Sequence, residues 1–247
     1  GVPVVLGTEV LENADAGAEA ADAIGYPVML KARSGGGGRG IRILRDPAEF
    51  RNTFFSAEAE AENAFGDPAL YLEKYLYPVK HIEVQLLCDQ YGNAIALGDR
   101  DCSVQRKNQK LIEEAPSPAL PDSVREKMYE AAVEAAKAVG YVTVGTVEFL
   151  WPGGQDFYFM EMNTRLQVEH PVTEMVSGVD IVKWQIRTAA GMKIGFSDHD
   201  IGKKGCAIEC RICAEHPKTF LPNAGRISFM HVTGGLGVRF DTHLYQD

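Results

Sequence analysis

The stretch Lys31-Ala32-Arg33-Ser34-Gly35-Gly36-Gly37-Gly38-Arg39-Gly40 begins at the end of one short apolar run, residues 27–32, and leads into another, residues 41–44. Both runs have the length of β-strands, so the sequence predicts a hairpin with a glycine-rich loop. Backbone N–H groups of glycines can approach an anion without interference from side chains. Lys31 and Arg39 add positive charge, and we therefore expect a lid over a polyphosphate. The alternative is a flexible loop without a function.

Two better-known glycine-rich phosphate sites do not fit this loop. A P-loop ends in Gly-Lys-Ser or Gly-Lys-Thr, which is missing here. A dinucleotide-binding fingerprint leads into a helix, whereas a strand follows this loop. Residues 13–24 and the segment that opens at Asp46-Pro47 are predicted helices. The first 75 residues are thus expected to form a small α+β unit.

The composition is that of an ordinary globular chain. Of 247 residues, 45% are hydrophobic and 24% charged, and the net charge of −9 argues against nucleic acid as a partner. No apolar run reaches the roughly 20 residues of a membrane span. Five cysteines in a chain of this length favour a reducing, cytoplasmic location over a disulfide framework. Because the chain begins with Gly1, we expect a piece of a longer protein.

The centre of the chain shows strand and helix periodicities in turn. Ile82, Val84, Leu86 and Cys88 alternate with more polar neighbours, which is the period of a strand, and residues 94–98 continue as a second strand. A helix is predicted over 122–139, with an apolar stripe of Val124, Met128, Ala131, Ala135 and Val139. Two strands follow, at 141–151 and 157–163. A linker is predicted at 194–205, and a strand from residue 206 begins another domain.

Two carboxylates lie on the neighbouring strands 141–151 and 157–163. A hairpin register with an odd sum of paired numbers, for instance Trp151 opposite Tyr158, places Glu148 and Glu161 on one face, and an even sum separates them. Asn163 shares the face of Glu161. Two carboxylates and an amide oxygen suit Mg²⁺ or Mn²⁺ bridging nucleotide phosphates. The alternative is that the glutamates point to solvent.

Polar residues occupy every second position from Glu161 to Glu169. On an extended segment they would line one side. A solvated strand edge would show the same alternation. Beside a metal–nucleotide site, however, Arg165 can bind a planar anion such as bicarbonate with two donors, and Glu169 can accept its proton as a general base.

Together with Glu73-Lys74-Tyr75-Leu76 and Arg100-Asp101-Cys102-Ser103-Val104-Gln105-Arg106, these motifs resemble the biotin carboxylase branch of the ATP-grasp superfamily over nearly the whole chain. The resemblance implies an α+β, ATP-grasp fold. Two subdomains, residues 1–75 and 76–203, would enclose ATP, and residues 204–247 would start a C-terminal domain. The activity implied is ATP-dependent carboxylation of biotin by bicarbonate, through carboxyphosphate.

The resemblance also implies a role for individual residues, with Asn108 standing where many relatives have histidine. The nucleotide-binding set is Lys31, Gly35, Gly36, Gly37, Gly38, Glu73, Lys74, Leu76, His81, Gln105, Asn108 and Leu150. Two Mg²⁺ or Mn²⁺ ions would bind Glu148, Glu161 and Asn163. Bicarbonate would be surrounded by Lys110, Arg165, Gln167 and Val168, with Glu169 as its base, and Arg211 would stabilise the biotin enolate.

The partners implied are a biotin carboxyl carrier protein or domain, a carboxyltransferase and a second copy in a homodimer. The family's N-terminal domain is not part of this sequence, so a nucleotide-binding piece without turnover is one alternative. A ligase of the carbamoyl-phosphate synthetase type is another. Cys206, Cys210 and Cys213 have the spacing of an iron–sulfur site, but alternation along a strand would not bring the three thiols together.

Overall fold

The computed structural model describes residues 1–35, 39–202 and 205–246, and the chain divides into two units, Gly1–Cys210 and Arg211–Asp247. In the first unit the helices are α1 (Ala14–Ile24), α2 (Phe50–Phe65), α3 (Asp122–Ala138), α4 (His170–Ser177) and α5 (Ile181–Ala189). The strands are β1 (Val28–Ala32), β2 (Ile41–Leu44), β3 (Leu70–Lys74), β4 (Lys80–Cys88), β5 (Ala94–Arg106), β6 (Gln109–Ala115), β7 (Thr143–Trp151), β8 (Tyr158–Asn163) and β9 (Ala207–Cys210). The α+β prediction is confirmed.

The smaller sheet has the order β2-β1-β3, and both strand pairs are antiparallel. The predicted hairpin is confirmed, because Lys31 pairs with Ile41 across β1 and β2. Helix α1 begins after Asn13, whose side chain accepts hydrogen bonds from the N–H groups of residues 15 and 16. Apolar side chains of α1 and α2, with Phe50 and Phe54 the largest, form the core with β1 and β3. Lys31 is thereby held at the mouth of the glycine loop.

The larger sheet has the order β8-β7-β4-β5-β6-β9, and its two faces differ in chemistry. The predicted face of β4 (Ile82, Val84, Leu86 and Cys88) packs against Val124 and Met128 of α3, which confirms it. On the other face, Leu87 packs with Ile181 of α5. Further along that face, Glu83 and Gln85 are fully buried. Charged groups buried at this end of the sheet mark the region in which a site should be sought.

A β-bulge sets the register of β7 and β8. Near the turn the pairs are Leu150 with Tyr158 and Phe149 with Phe159, so the predicted pairing of Trp151 with Tyr158 is wrong. Continued unchanged, this register would place Glu148 and Glu161 on opposite faces. The bulge between Glu148 and Phe149 inserts one residue, and Glu148 then lies directly opposite Glu161. The two carboxylates therefore share a face, as the odd-sum register requires.

The end of the first unit corrects one expectation. Ile194 and Ile201 are buried against Leu87, Leu97 and Val144, so residues 194–201 pack onto the sheet and are not a free linker. Strand β9 pairs with β6 and carries the larger sheet to Cys210. The boundaries 1–75, 76–203 and 204–247 stay a prediction.

In the second unit, residues 215 and 222 form an isolated bridge. All five cysteines are free thiols, and Cys206, Cys210 and Cys213 are exposed. Within the described ranges, no helix combines the length and the apolar character that crossing a membrane requires.

Candidate functional site

A cavity of about 670 Å³ opens beside the smaller sheet. Three residues of the predicted nucleotide set, Glu73, Lys74 and Leu76, line it. One wall is the segment 4–9, which the sequence interpretation did not assign to the site. This segment runs along β3, where Lys74 N–H donates to the Leu6 carbonyl at 2.7 Å and Thr8 N–H donates to the Leu72 carbonyl at 2.9 Å. Predicted Leu150 pairs with Tyr158, which also lines the cavity.

The two lysines of this region have different surroundings. The Lys31 ammonium lies 3.0 Å from the Glu73 carboxylate and 5.2 Å from the centre of the Tyr71 ring. Burial lowers the pKa of Lys31, but the contacts with Tyr71 and Glu73 outweigh it and raise the pKa. The Lys74 ammonium donates to the Gly25 carbonyl at 2.7 Å. Gly35 N–H donates to the Ala32 carbonyl; Gly36, Gly37 and Gly38 lie outside the described residues.

Gly7→Ala tests whether the segment 4–9 forms one wall of a nucleotide-binding site. A Cβ at position 7 would lie 2.7 Å from the Leu72 carbonyl oxygen, so the segment must move away from β3. We expect weaker binding of a non-hydrolysable ATP analogue in calorimetry by about 1 kcal/mol, roughly fivefold in Kd. Gly195→Ala is the matched control, because a Cβ there meets no atom within 4 Å. Equal affinity of both variants would mean that this wall does not contact nucleotide.

The ammonium of Lys110 is the centre of a buried cluster on the larger sheet. It donates to Glu148 Oε1 at 2.8 Å, to Glu169 Oε1 at 2.8 Å and to Glu83 Oε2. A lysine has three N–H donors, so all of them are engaged by carboxylates. Burial lowers the pKa of Lys110, but the negative charges around it, Glu83 foremost, raise it well above its usual value. Lys110 is thus a permanent cation among three acidic groups.

Glu148 joins this cluster to the other predicted site residues. Its carboxylate accepts hydrogen bonds from the amides of Asn163 and Gln167, each at 2.9 Å, and lies 2.9 Å from His81 Nε2. Burial acts to raise its pKa, but His81 and Lys110 outweigh that and lower it to about 2. Gln105 Nε2 lies 3.1 Å from His81 Nδ1 and donates to it. With Nδ1 accepting from Gln105, an N–H of the His81 ring lies on Nε2, facing Glu148.

The residues predicted to hold metal ions fit that role by their donor chemistry. Glu148 and Glu161 are paired across β7 and β8, and Asn163 pairs with Thr146 on the same strands. Glu161 is exposed, so its carboxylate is accessible to a cation carrying phosphates. All donors are hard oxygens, which Mg²⁺ prefers.

The polar run after β8 does not stay extended, and that part of the interpretation is wrong. The strand ends at Asn163, and α4 begins one residue after Glu169. Gln167 and Glu169 are buried in the cluster, whereas Arg165 and Val168 are exposed. Arg165 donates to Asn163 Oδ1 at 3.2 Å, which keeps it beside the metal-binding set. The turn of the loop, rather than alternation along a strand, therefore places Gln167 and Glu169 in the cluster and leaves Arg165 exposed beside Asn163.

Asn108 is not part of this cluster, and the cluster does not test the predicted role of Arg211. Asn108 is at the tip of the β5–β6 hairpin, where Lys107 and Asn108 both have positive φ, 51° and 62°, as a tight two-residue turn requires. Arg211 belongs to the second unit, and its role stays a prediction.

Two central residues were not assigned a role from sequence. Glu83 and Arg100 are fully buried and form an ion pair, with Arg100 Nε 2.5 Å from Glu83 Oε1. The signal was available for Glu83, which carries a charge inside the strand predicted at residues 82–88, but not for Arg100, which lies beyond the strand predicted at residues 94–98. Cys102 is also buried here, within 4.8 Å of acidic oxygens of Glu83 and Glu169, and burial raises its pKa well above the usual value. It is therefore a neutral thiol.

Comparison with known proteins agrees with this geometry. The family model of the carbamoyl-phosphate synthase L chain, ATP binding domain, matches residues 1–196. Biotin carboxylase 1 of Bacillus subtilis is 53% identical over 99% of this chain and 55% of its own length. The chain thus spans about half the length of the curated relatives it matches.

Two solved structures extend the likeness to the fold. Biotin carboxylase of Campylobacter jejuni, a complex named for beta-gamma-ATP, has a TM-score of 0.96 and 50% identity, covering 100% of this chain and 55% of its own. The biotin carboxylase domain of 2-oxoglutarate carboxylase from Hydrogenobacter thermophilus, in complex with MgADP, ADP and bicarbonate, has a TM-score of 0.91 and 53% identity, covering 97% and 53%. The ATP-grasp fold is thereby confirmed. The chain belongs to the family of the carbamoyl-phosphate synthase L chain, ATP binding domain, and over its full length it is similar to biotin carboxylases.

Proposed function

We propose that this chain carries the ATP- and bicarbonate-activating centre of an enzyme that carboxylates biotin on a carrier protein. The observation that carries the proposal is the Lys110 cluster. A buried carboxylate, Glu169, lies against a fixed cation and beside Gln167 and Glu148. The cavity lined by Glu73, Lys74 and Leu76 supplies a place for adenine and ribose on the neighbouring sheet.

Each group has a defined task in this reaction. Arg165 and the free N–H of the Gln167 amide bind bicarbonate, with the backbone at Val168 beside them. Glu169 accepts the bicarbonate proton, and the oxygen so exposed attacks the γ-phosphate of ATP, giving carboxyphosphate and ADP. Lys31 and the glycine loop from Gly35 hold the phosphates. Magnesium bound by Glu148, Glu161 and Asn163 supplies neutralisation of phosphate charge.

The remaining roles follow the same scheme. His81 and Gln105 face the ribose, Leu150 is an apolar wall, and Asn108 gives a neutral hydrogen bond to the nucleotide. Arg211 stabilises the enolate of biotin. The two structures named for beta-gamma-ATP and for MgADP with bicarbonate support these ligands. A carboxyl carrier, a carboxyltransferase and a second subunit are the proposed partners, in the cytoplasm, and Mn²⁺ is a proposed substitute for Mg²⁺.

Two measurements test the proposal. Calorimetry of this chain with a non-hydrolysable ATP analogue and Mg²⁺ asks whether it binds nucleotide. ADP release by the full-length protein measures turnover. We expect turnover only when bicarbonate is present, and we expect it to be faster when free biotin is added. ADP release that ignores bicarbonate would overturn the proposed reaction. Stimulation by glutamine or ammonia in place of biotin would indicate a carbamoyl-phosphate synthetase instead.

A further inference from the structure

Arg100 on β5 is the largest fully buried side chain in the described part of the protein. A guanidinium has five N–H donors, and here each one has an acceptor. Nε donates to Glu83 Oε1 at 2.5 Å. Nη1 donates to Gln85 Oε1 at 2.8 Å and Thr173 Oγ1 at 2.9 Å, and Nη2 donates to Gln167 Oε1 at 2.9 Å and Thr146 Oγ1 at 3.3 Å.

Two of these acceptors, Gln167 and Glu83, connect Arg100 to the proposed bicarbonate site. Gln167 Oε1 accepts from Arg100 while its Nε2 donates to Glu148 at 2.9 Å. If the Gln167 amide were flipped, its NH₂ would face the N–H donors of Arg100 and its oxygen would face the Glu148 carboxylate. Both contacts would be repulsive, so the amide has one orientation. One N–H of Nε2 then stays available for an anion. Glu83 uses its first oxygen for Arg100 and its second for Lys110, so Arg100 also fixes the carboxylate that holds Lys110.

We propose that Arg100 is a positioning residue for bicarbonate, an inference that rests on the proposed function. It does not touch the substrate, because all its donors are engaged by protein. It acts through Gln167, whose amide it orients, and through Glu83, which places the Lys110 ammonium against Glu169. The nucleotide cavity is lined by other elements, the segment 4–9 and β3 among them. Loss of Arg100 therefore affects bicarbonate more than ATP.

The planar guanidinium, with its five N–H donors in fixed directions, is the property that orients Gln167 and Glu83, and lysine cannot reproduce it. Lysine keeps the charge but has three donors on a flexible stem. Arg100→Lys can retain the ion pair with Glu83 but not all the bonds to Gln167, Gln85 and the two threonines. Arg100→Met removes the charge as well. We expect the effect to increase from Arg100→Lys to Arg100→Met.

The kinetic test uses the full-length protein. We expect Arg100→Lys to raise the KM for bicarbonate about tenfold, or 1.4 kcal/mol, and to leave the KM for ATP within about twofold. Thr173→Val is the matched control, because it removes one Arg100 acceptor that contacts neither Lys110 nor Glu169. It should leave the KM for bicarbonate within about twofold. A parallel rise of both KM values, or no rise, overturns the proposal.

A crystal structure tests the positioning role without a measurement of turnover. It also does not depend on whether Arg100→Met folds. In a crystal structure of Arg100→Lys we expect the Gln167 amide to leave its bond with Glu148 or to rotate. Gln167 and Lys110 in unchanged positions would overturn the positioning role. If the wild type shows no bicarbonate dependence, the proposed function fails, and the crystal structures alone decide whether Arg100 positions these side chains.

Discussion

Glu169→Gln is expected to lower bicarbonate-dependent ADP release at least about a hundredfold, because a general base contributes roughly 10²–10⁴ in rate. The glutamine still offers Lys110 an oxygen, so the 2.8 Å contact and the loop before α4 should persist. What is lost is a group that can accept the proton of bicarbonate. Binding of an ATP analogue should stay within about twofold, since Glu169 does not line the nucleotide cavity.

The comparison that isolates the base uses a second carboxylate. Glu134 is exposed on α3, and Glu134→Gln removes the same charge at a distance from the cluster. We expect it to turn over like the wild type. Both rates are measured as ADP release with and without bicarbonate. A Glu169→Gln protein that keeps more than about a tenth of the wild-type rate would show that another group takes the proton.

Elements with a single buried face could be read from the sequence. The β1–β2 hairpin, the inner face of β4 and the start of α3 follow the expected periods, because one side of each meets a core and the other does not. The stripe of α3 differs after Met128. Ala132 and Ala136 are buried, whereas Val139 is 71% exposed beyond the helix end. The buried stripe continues at intervals of four residues, through Ala132 and Ala136. The predicted stripe, through Ala131 and Ala135, lies one residue closer to the N-terminus.

Elements with charges on a buried face could not be recognised in this way. Residues 99–101 were not assigned to a strand, since Asp-Arg-Asp is typical of a surface loop. They lie within β5, which extends to Arg106 because buried partners satisfy each charge. Asp99 accepts from Arg125 at 2.9 Å and from Ser117 N–H at 2.7 Å. Such pairing depends on residues distant in sequence, and a local pattern does not contain it.

The candidate site, like the fold, could be predicted from the sequence only in part. Its residue types were readable, because oxygen donors and a base next to an arginine indicate metal and anion chemistry. Their arrangement was not, since it depends on the β7–β8 bulge and on the turn after Asn163. The central role of Lys110 and Glu83 emerges only when β7, β4, β5 and β6 are placed side by side in the sheet.

Lys110→Met is expected to have the largest effect on stability of any single change in the cluster. It removes the one ammonium bonded to Glu83, Glu148 and Glu169, and leaves three buried carboxylates with fewer compensating charges. Breaking a buried ion pair on one side costs about 3–5 kcal/mol. The measurement is urea unfolding at pH 7, with Lys127→Met as control. Lys127 is exposed, with Gln155 at 3.5 Å, and its loss should cost little.

The pH dependence of the unfolding free energy tests whether the cost is electrostatic. The pKa of Glu148 is lowered from 4.5 to about 2, so its stabilising contribution is complete above pH 4.5 and is lost as the pH falls through about 2. Without Lys110, Glu148 loses one of the two groups that lower its pKa, and the pKa of Glu148 moves back toward 4.5. The difference in unfolding free energy between wild type and Lys110→Met should therefore be largest near pH 7 and shrink as the pH falls from 4.5 toward 2. Lys110 is charged throughout that range, because its own pKa is raised. A difference that does not change with pH would assign the cost to packing of the lysine stem, and the cluster would then not be held by charge.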